Sequence, residues 1–263
     1  DERMFKSLDI QNTKSRFALV SCMADDFRFD EIIDPMWDKL YKQNADFLIL
    51  TGDLVYVDDK QFVERQKATQ YDLWQRYTDC FKRIPLYHWY YLKPVFATWD
   101  DHDFGTNDGD RNFIAKDASL EIFKAAFLGQ DIYGSDGSTV WSNEKEGTQS
   151  QFSAFSQKFV FMDNRSFRQP NNDYKSENYG YWGIRQHKWL IDGLKKDNRP
   201  SWIFNGNQFF NGANKEFIES LARNQPAEYK IFLNDLKNTN VPVVFGSGDV
   251  HISEIMKIPK NLL

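Results

Sequence analysis

Short apolar runs alternate along this chain with longer stretches whose apolar residues recur every three or four positions. Arg16–Cys22, Asp46–Thr51 and Pro94–Thr98 read as buried strands. Asp30–Asn44 keeps helical spacing through Ile33, Met36, Trp37, Leu40 and Tyr41. Asp59–Ile84 reads as one long helix carrying Phe62, Tyr71, Trp74, Tyr77, Cys80 and Phe81 on its apolar side, and Asn112–Leu128 as another. The texture then changes. Thr139–Trp141, Ser150–Phe155 and Lys158–Asp163 look like antiparallel strands separated by Gly-, Ser- and Asn-rich turns. Asn171–Gly183 is polar and rich in Asn and Tyr, which predicts a long loop. Ile184–Lys196, Lys215–Asn224 and Glu228–Leu236 are helical, while Ser201–Asn205 and Val241–Phe245 are strands. Strand and helix alternate in both halves around an antiparallel middle. That order predicts an α/β sandwich built on two central sheets. No repeat or linker interrupts it, so residues 1–263 read as one domain.

The strands end alike. The first ends at Cys22, the second at Asp53, the third at Asp100, Asp101 and His102. Asp163-Asn164-Arg165, Asn205 with Asn207, and Asp249 with His251 close three more. One polar strand end is ordinary turn chemistry. Six of them on one edge make the geometry of an active site. The densest stretch, Trp99 to Asp110, holds five acids, a His and an Asn in twelve residues. Carboxylate, imidazole and amide oxygens suit hard and borderline cations, and so many anions repel unless cations or hydrogen bonds compensate. Asp249 and His251 alternate as in a strand and would then point the same way. Taken alone, Cys22 and Tyr56 are packing residues. His88, His187 and Cys80 have no such context and are assigned to structure.

Composition narrows the picture. Of 263 residues, 41 % are hydrophobic and 27 % charged, as in a globular chain. A net charge of −5 argues against a general nucleic-acid or anionic-membrane surface. The 23 Phe alternate in strand-like runs and are assigned to the core. No stretch approaches the roughly 20 apolar residues of a membrane span. Two cysteines do not make a disulfide framework.

Five segments appear in a telling order: GDLVY (52–56), ATWDDHDFGTND (97–108), MDNRSFR (162–168), WIFNGNQ (202–208) and SGDVH (247–251). Together they resemble the PhoD-like alkaline phosphatases and phosphodiesterases, within the calcineurin-like metallophosphoesterases. The resemblance runs from Phe17 to the end of the chain, with no room before it for the N-terminal β-sandwich of many members. It implies an α/β/β/α sandwich of two mixed central sheets flanked by helices. It implies that Asp53 bridges two metals, and that Cys22 and Tyr56 supply thiolate and phenolate to Fe3+. Asp100, Asp101 or both, with Asn107, would hold Ca2+, other divalent metals being possible; Asp249 and His251 would close the site. His102 would stand beside the scissile phosphate, Arg165 would contact its oxygens, and Asn207 would help bind substrate. The implied function is hydrolysis of phosphate mono- or diesters in a periplasmic or secreted protein. A phospholipase-type or polymer-directed phosphodiesterase is the enzymatic alternative, with Tyr87–Tyr91 and the 171–183 loop lining a groove. A calcium-dependent binding module is the non-enzymatic one. The chain stops twelve residues after His251, so a segment that partly covers the site in some relatives is not expected.

Overall fold

The structure is a computed structural model and describes residues 2–23, 25, 30–133, 139–171, 178–210 and 219–258. In chain order the elements are β1 (Met4–Phe5), β2 (Phe17–Val20), α1 (Asp30–Lys42), β3 (Phe47–Thr51), α2 (Gln61–Glu64) and α3 (Gln70–Arg83). Next come β4 (Tyr91–Leu92), β5 (Val95–Thr98), α4 (Asp101–Phe104), α5 (Lys116–Phe123), β6 (Ile132–Tyr133), β7 (Thr139–Asn143), β8 (Ser150–Ala154) and β9 (Gln157–Phe161). The last are α6 (Gly183–Lys196), β10 (Ser201–Asn205), α7 (Leu221–Asn224), α8 (Pro226–Lys237) and β11 (Val243–Ser247).

Two sheets carry the architecture. One has the order β2-β3-β5; the other runs β11-β10-β9-β8-β7-β6. The larger is mixed: β9, β10 and β11 are parallel, whereas β6 to β9 pair antiparallel. The smaller was expected to be mixed too but is wholly parallel among the described residues. The reason is its connections: helical crossovers join β2 to β3 and β3 to β5, and a crossover returns the chain in the same direction.

Alternation along β9 shows the layering. Phe159 and Phe161 join the core shared with β3 and α3, while Val160 joins the core under α6 and α8. That is the expected α/β/β/α order. The seam between the sheets is phenylalanine. Phe47 has ring centroids 5.4 Å from Phe17, 5.7 Å from Phe96, 5.7 Å from Phe155 and 5.8 Å from Phe159. Phe152 stacks on Phe159 at 4.4 Å. Emptying one such position costs about 3–5 kcal/mol, so this wall holds the two strand edges rigidly together.

Some helices differ from expectation. The stretch 59–84 is not one helix: a 3-10 turn spans Val57–Asp59, then come α2 and α3. Gln66, at φ 56°, breaks the run, and Thr69 restarts it through a capping box with Asp72. Tyr71, Trp74 and Met36, placed on apolar faces by spacing, are exposed. The helix expected from Asn112 begins at Lys116 and continues as a π-helical turn, Lys124–Leu128. Val241 and Pro242 precede the last strand instead of opening it. Of the helix expected over Lys215–Asn224, residues 215–218 lie outside the described residues and Leu221–Asn224 is α7; the middle of the 171–183 loop also lies outside them.

The C-terminal ends of both sheets meet at Asp100. A Cβ on Gly52 would lie 2.6 Å from Asp100 Cβ, and one on Gly206 would lie 2.2 Å from Trp99 O. Gly52 also sits at φ 80°. Only residues without side chains let β3 and β10 close on β5 here. The Thr98 hydroxyl ties the sheets by donating to Met162 O at 2.6 Å. The Tyr87–Tyr91 run lies at the other end of β5. Tyr91 pairs with Met4, and Trp89 is buried against Trp37 and Tyr41. It does not line a groove at the strand ends.

Candidate metal centre

Two sets of ligand-type side chains converge on this edge, and they share a member. Cys22, Asp53 and His251 place one donor atom each within 4.8 Å of one another, and so do Asp53, Asp101 and His102. Asp53 follows β3, and its side chain is buried between the two groups. Cys22 Sγ lies 3.5 Å from Asp53 Oδ2.

The backbone delivers these residues at a cost. Cys22 (φ 55°), Asp53 (φ 55°), Asp249 (φ 82°) and His251 (φ 53°) all occupy the left-handed region. That region costs a non-glycine residue roughly 1–2 kcal/mol. Such strain gathers where geometry serves a site. It also changes one sequence argument: Asp249 and His251 leave the strand before they are used, so left-handed turns, not alternation, aim them.

Acid repulsion is unresolved in the protein alone. Burial, then the charges of Asp100, Asp101 and Asp103, push the Asp53 carboxyl well above its ordinary range. Burial with Asp100 and Asp101 lifts Asp249 to about 8. Burial and then Asp53 push the Cys22 thiol up. Burial, Asp53 and Cys22 do the same to the Tyr56 hydroxyl. Asp53 Oδ1, Asp100 Oδ2 and Asn164 Oδ1 are buried without a hydrogen-bond partner among the described residues. Unpaired buried oxygens are costly. A cation cluster would satisfy them and reverse the pKa trend, so the donor set fits metals.

The WDDHD loop is built to hold this shape. Asp103 accepts from Leu54 N and Val55 N, both at 2.7 Å, and from Asp100 N at 3.0 Å. Asp103 is therefore a brace between loops, not a ligand. Trp99 Nε1 donates to Asp163 Oδ1 at 2.8 Å and locks the loop to the end of β9. His102 Nδ1 lies 2.8 Å from both oxygens of Asp58, and its ring lies over Tyr56 with centroids 4.3 Å apart. Burial alone would lower the His102 pKa, but the Asp58 bond and the charges of Asp101 and Asp53 raise it to about 10.

Arg165 and Asn207 are placed differently from expectation. Arg165 is fully buried. Its Nε donates to Asp100 Oδ1 at 2.6 Å, its Nη1 to Gly109 O at 3.1 Å and its Nη2 to Glu219 Oε2 at 2.7 Å. Asp101 lies 3.4 Å from Nη2. Every nitrogen is engaged, so this geometry offers phosphate oxygens no direct contact. The guanidinium neutralises the Asp100 end of the cluster instead. Asn207 is also buried, donating to Glu219 at 2.9 Å and accepting from the Tyr181 hydroxyl at 3.2 Å. Burial would raise the Glu219 pKa, but Arg165 and Arg168 hold it at about 2.

Of the residues predicted from sequence, Cys22, Asp53, Tyr56, Asp101, His102, Asp249 and His251 gather at the edge. Asp100 faces Asn164 and Arg165 with one oxygen and leaves the other free. Asn107 is exposed on the loop beyond. Sequence reasoning missed Asp58, Glu219 and Arg168. Asp58 lies two residues past GDLVY and carried a readable signal; Glu219 carried none. Cys80, His88 and His187 bond to Leu54 O, to the α3 carbonyls of Phe81 and Lys82, and to Asp235, in keeping with structural roles.

A sandwich of two sheets with polar strand ends gathered on one edge is a fold this chain shares with two solved structures. The chain is similar to the solved structure of PhoD, with a TM-score of 0.64 and 17 % identity, covering 90 % of this chain and 51 % of that one. It thus spans about half the length of the PhoD chain. It is also similar to the crystal structure of a dimetal phosphatase from Danio rerio, with a TM-score of 0.54 and 13 % identity over 88 % and 80 % of the two chains. At these identities the likeness is one of fold. No family model and no curated protein matches the sequence.

Proposed function

We propose that this chain is a metal-dependent hydrolase of phosphate esters, of the alkaline phosphatase or phosphodiesterase kind. One observation carries the reading: Asp53 belongs to both ligand groups, as a carboxylate bridging two cations would. Fe3+ suits the group of Cys22, Asp53 and His251 together with Tyr56, since a phenolate is a hard anionic donor and the carboxylate and thiolate add the negative charge a trivalent ion draws. Ca2+ suits the carboxylates of Asp53, Asp100 and Asp101, with Asp249 closing the site; Asn107, exposed on the loop beyond, would join them only by turning inward. Bound cations of this kind draw charge from phosphoryl oxygens and acidify water.

The chain's own residues do the rest. His102, held on Asp58, keeps its other ring nitrogen for the leaving oxygen and donates a proton there. Asp103, Asn164 and Arg165 fix Asp100 and Asp101 against their mutual repulsion. Arg165 acts through these carboxylates, not on the phosphate. No nucleophilic Ser or Cys is needed. No helix among the described residues is long and apolar enough to cross a membrane. The periplasmic or secreted setting rests on the family resemblance alone.

The test is elemental analysis of the purified protein beside turnover of p-nitrophenyl phosphate and bis-p-nitrophenyl phosphate, with and without chelator. Iron and calcium with chelator-sensitive turnover of either ester are expected. Metal-bound protein inert on both esters would favour the calcium-dependent binding module.

A further inference from the structure

Helix α3 grips the site's loops through three polar side chains on its buried face. The Tyr77 hydroxyl donates to Asp103 O at 3.1 Å, Cys80 Sγ to Leu54 O at 3.4 Å, and Arg76 Nε to Tyr56 O at 2.9 Å. Arg76 reaches further. Its Nη1 and Nη2 take the two carboxylate oxygens of Asp25 at 2.7 and 2.5 Å, and its Nε lies 3.2 Å from Asp59. Arg83 Nε adds a bond to Asp25 O at 3.0 Å.

The positions of these partners matter. Asp25 is three residues past Cys22, and Tyr56 is three residues past Asp53. Backbone bonds from Cys22 N to Gly52 O (3.2 Å) and Met23 N to Asp53 O (2.7 Å) pin the two loops at their roots. Arg76 pins their far ends. On the same 3-10 turn, Asp59 faces Arg76 while its neighbour Asp58 faces His102. A planar fork suits this task because it holds a carboxylate in one orientation; an ammonium does not.

We propose that Arg76 is the positioning residue of the Cys22–Tyr56 half of the metal centre. It sets the separation of the two loops and touches neither cation nor substrate. The proposal rests on Cys22 and Tyr56 being ligands. Residues that orient ligands from outside typically change metal affinity by about 10–100-fold when lost.

The experiment titrates metal-free protein with ferric nitrilotriacetate and, separately, with calcium. It reads affinity, the visible absorption of the iron complex and the unfolding midpoint of the metal-free protein. Arg76→Met keeps the alkyl stem, Arg76→Lys keeps the charge, and Asp25→Asn removes the partner with little change of shape. Expected are an iron affinity lower by about 10–100-fold, a weakened or shifted band, no rescue by Arg76→Lys and calcium binding close to wild type. An unchanged band and affinity in Arg76→Met and Asp25→Asn would overturn the proposal. So would equal loss of iron and calcium in step with the unfolding midpoint, since that marks a fold brace only. If the wild type shows no iron band at all, the ligand reading fails and takes the proposal with it. A wild-type band unaffected by the variants removes the proposal alone.

Discussion

His102 Nδ1 and the carboxylate of Asp58 form a pair at 2.8 Å, forty-four residues apart in sequence. The pairing settles which ring nitrogen is spoken for and holds the imidazole in place. Removing a general acid costs about 10²–10⁴ in rate. His102→Ala is therefore expected to lose about that much kcat/KM on alkyl phosphates and much less on p-nitrophenyl phosphate, whose leaving group needs no proton. Asp58→Asn should show the same dependence on leaving group with a smaller loss. Equal penalties on both substrates would remove the proton-donor role.

Asp53 is buried among acids with one oxygen unpartnered. In the metal-free protein its charge is a burden. Asp53→Asn is expected to lose most bound metal and turnover. The same change should raise metal-free stability by roughly 1–3 kcal/mol, the scale of a relieved buried polar group. Denaturant unfolding and elemental analysis on one preparation check both halves. Undiminished metal content in the variant would exclude the bridging role.

The fold was legible because the strands are short apolar runs and the crossovers carry helical spacing. The centre was partly legible for a related reason. Asp53, Asp101 and His102 each follow such a run, so locating the strands located the side chains that gather at the edge. What spacing could not reveal were pairings across the chain. Arg165 and Glu219 lie 54 residues apart, and no local pattern links them. An arginine at a strand end next to acids reads as a phosphate contact until its partners are seen. The break at Gln66 was hidden for the opposite reason: apolar residues keep helical spacing across it, and only the Thr69–Asp72 capping pair betrays a new start.

The proposed function gives Cys22 and Tyr56 to one ferric ion as thiolate and phenolate. Such ligands absorb visible light by charge transfer. Cys22→Ser and Tyr56→Phe should each shift or bleach the band and lower iron content, leaving calcium largely in place. A colourless, iron-free and fully active wild type would dismiss both assignments.

Glu228 gives a pH dependence away from the metals. Its carboxylate accepts from Tyr181 N at 2.6 Å and Trp182 N at 3.2 Å. Burial outweighs these bonds and raises its pKa from 4.5 to about 7. The sign follows from proton counting. Between these values the folded state keeps a proton that the unfolded state has lost, so stability is fully present below pH 4.5 and falls as pH rises to about 7. The upper bound is about 3 kcal/mol, at 1.36 kcal/mol per unit. Glu228→Gln should flatten this part of the unfolding free-energy profile. An unaltered slope in the variant would place the dependence elsewhere.

Arg165 decides between two roles. Were it a phosphate contact, Arg165→Ala would keep the fold and metals and lose about 10²–10³ in rate. The structure makes it the counter-charge of Asp100 and Glu219, with both carboxylates buried. Leaving buried charges without a partner costs roughly 3–5 kcal/mol. Arg165→Ala is therefore expected to lower the unfolding free energy by about that amount and to change metal binding along with turnover. Arg165→Lys should recover part of the stability, since a point charge still faces Asp100, but not the separate bonds to Gly109 O and Glu219. Urea unfolding, metal content and kcat/KM on the same samples separate the cases. A variant of wild-type stability and metal content that has lost only catalysis would return Arg165 to the phosphate.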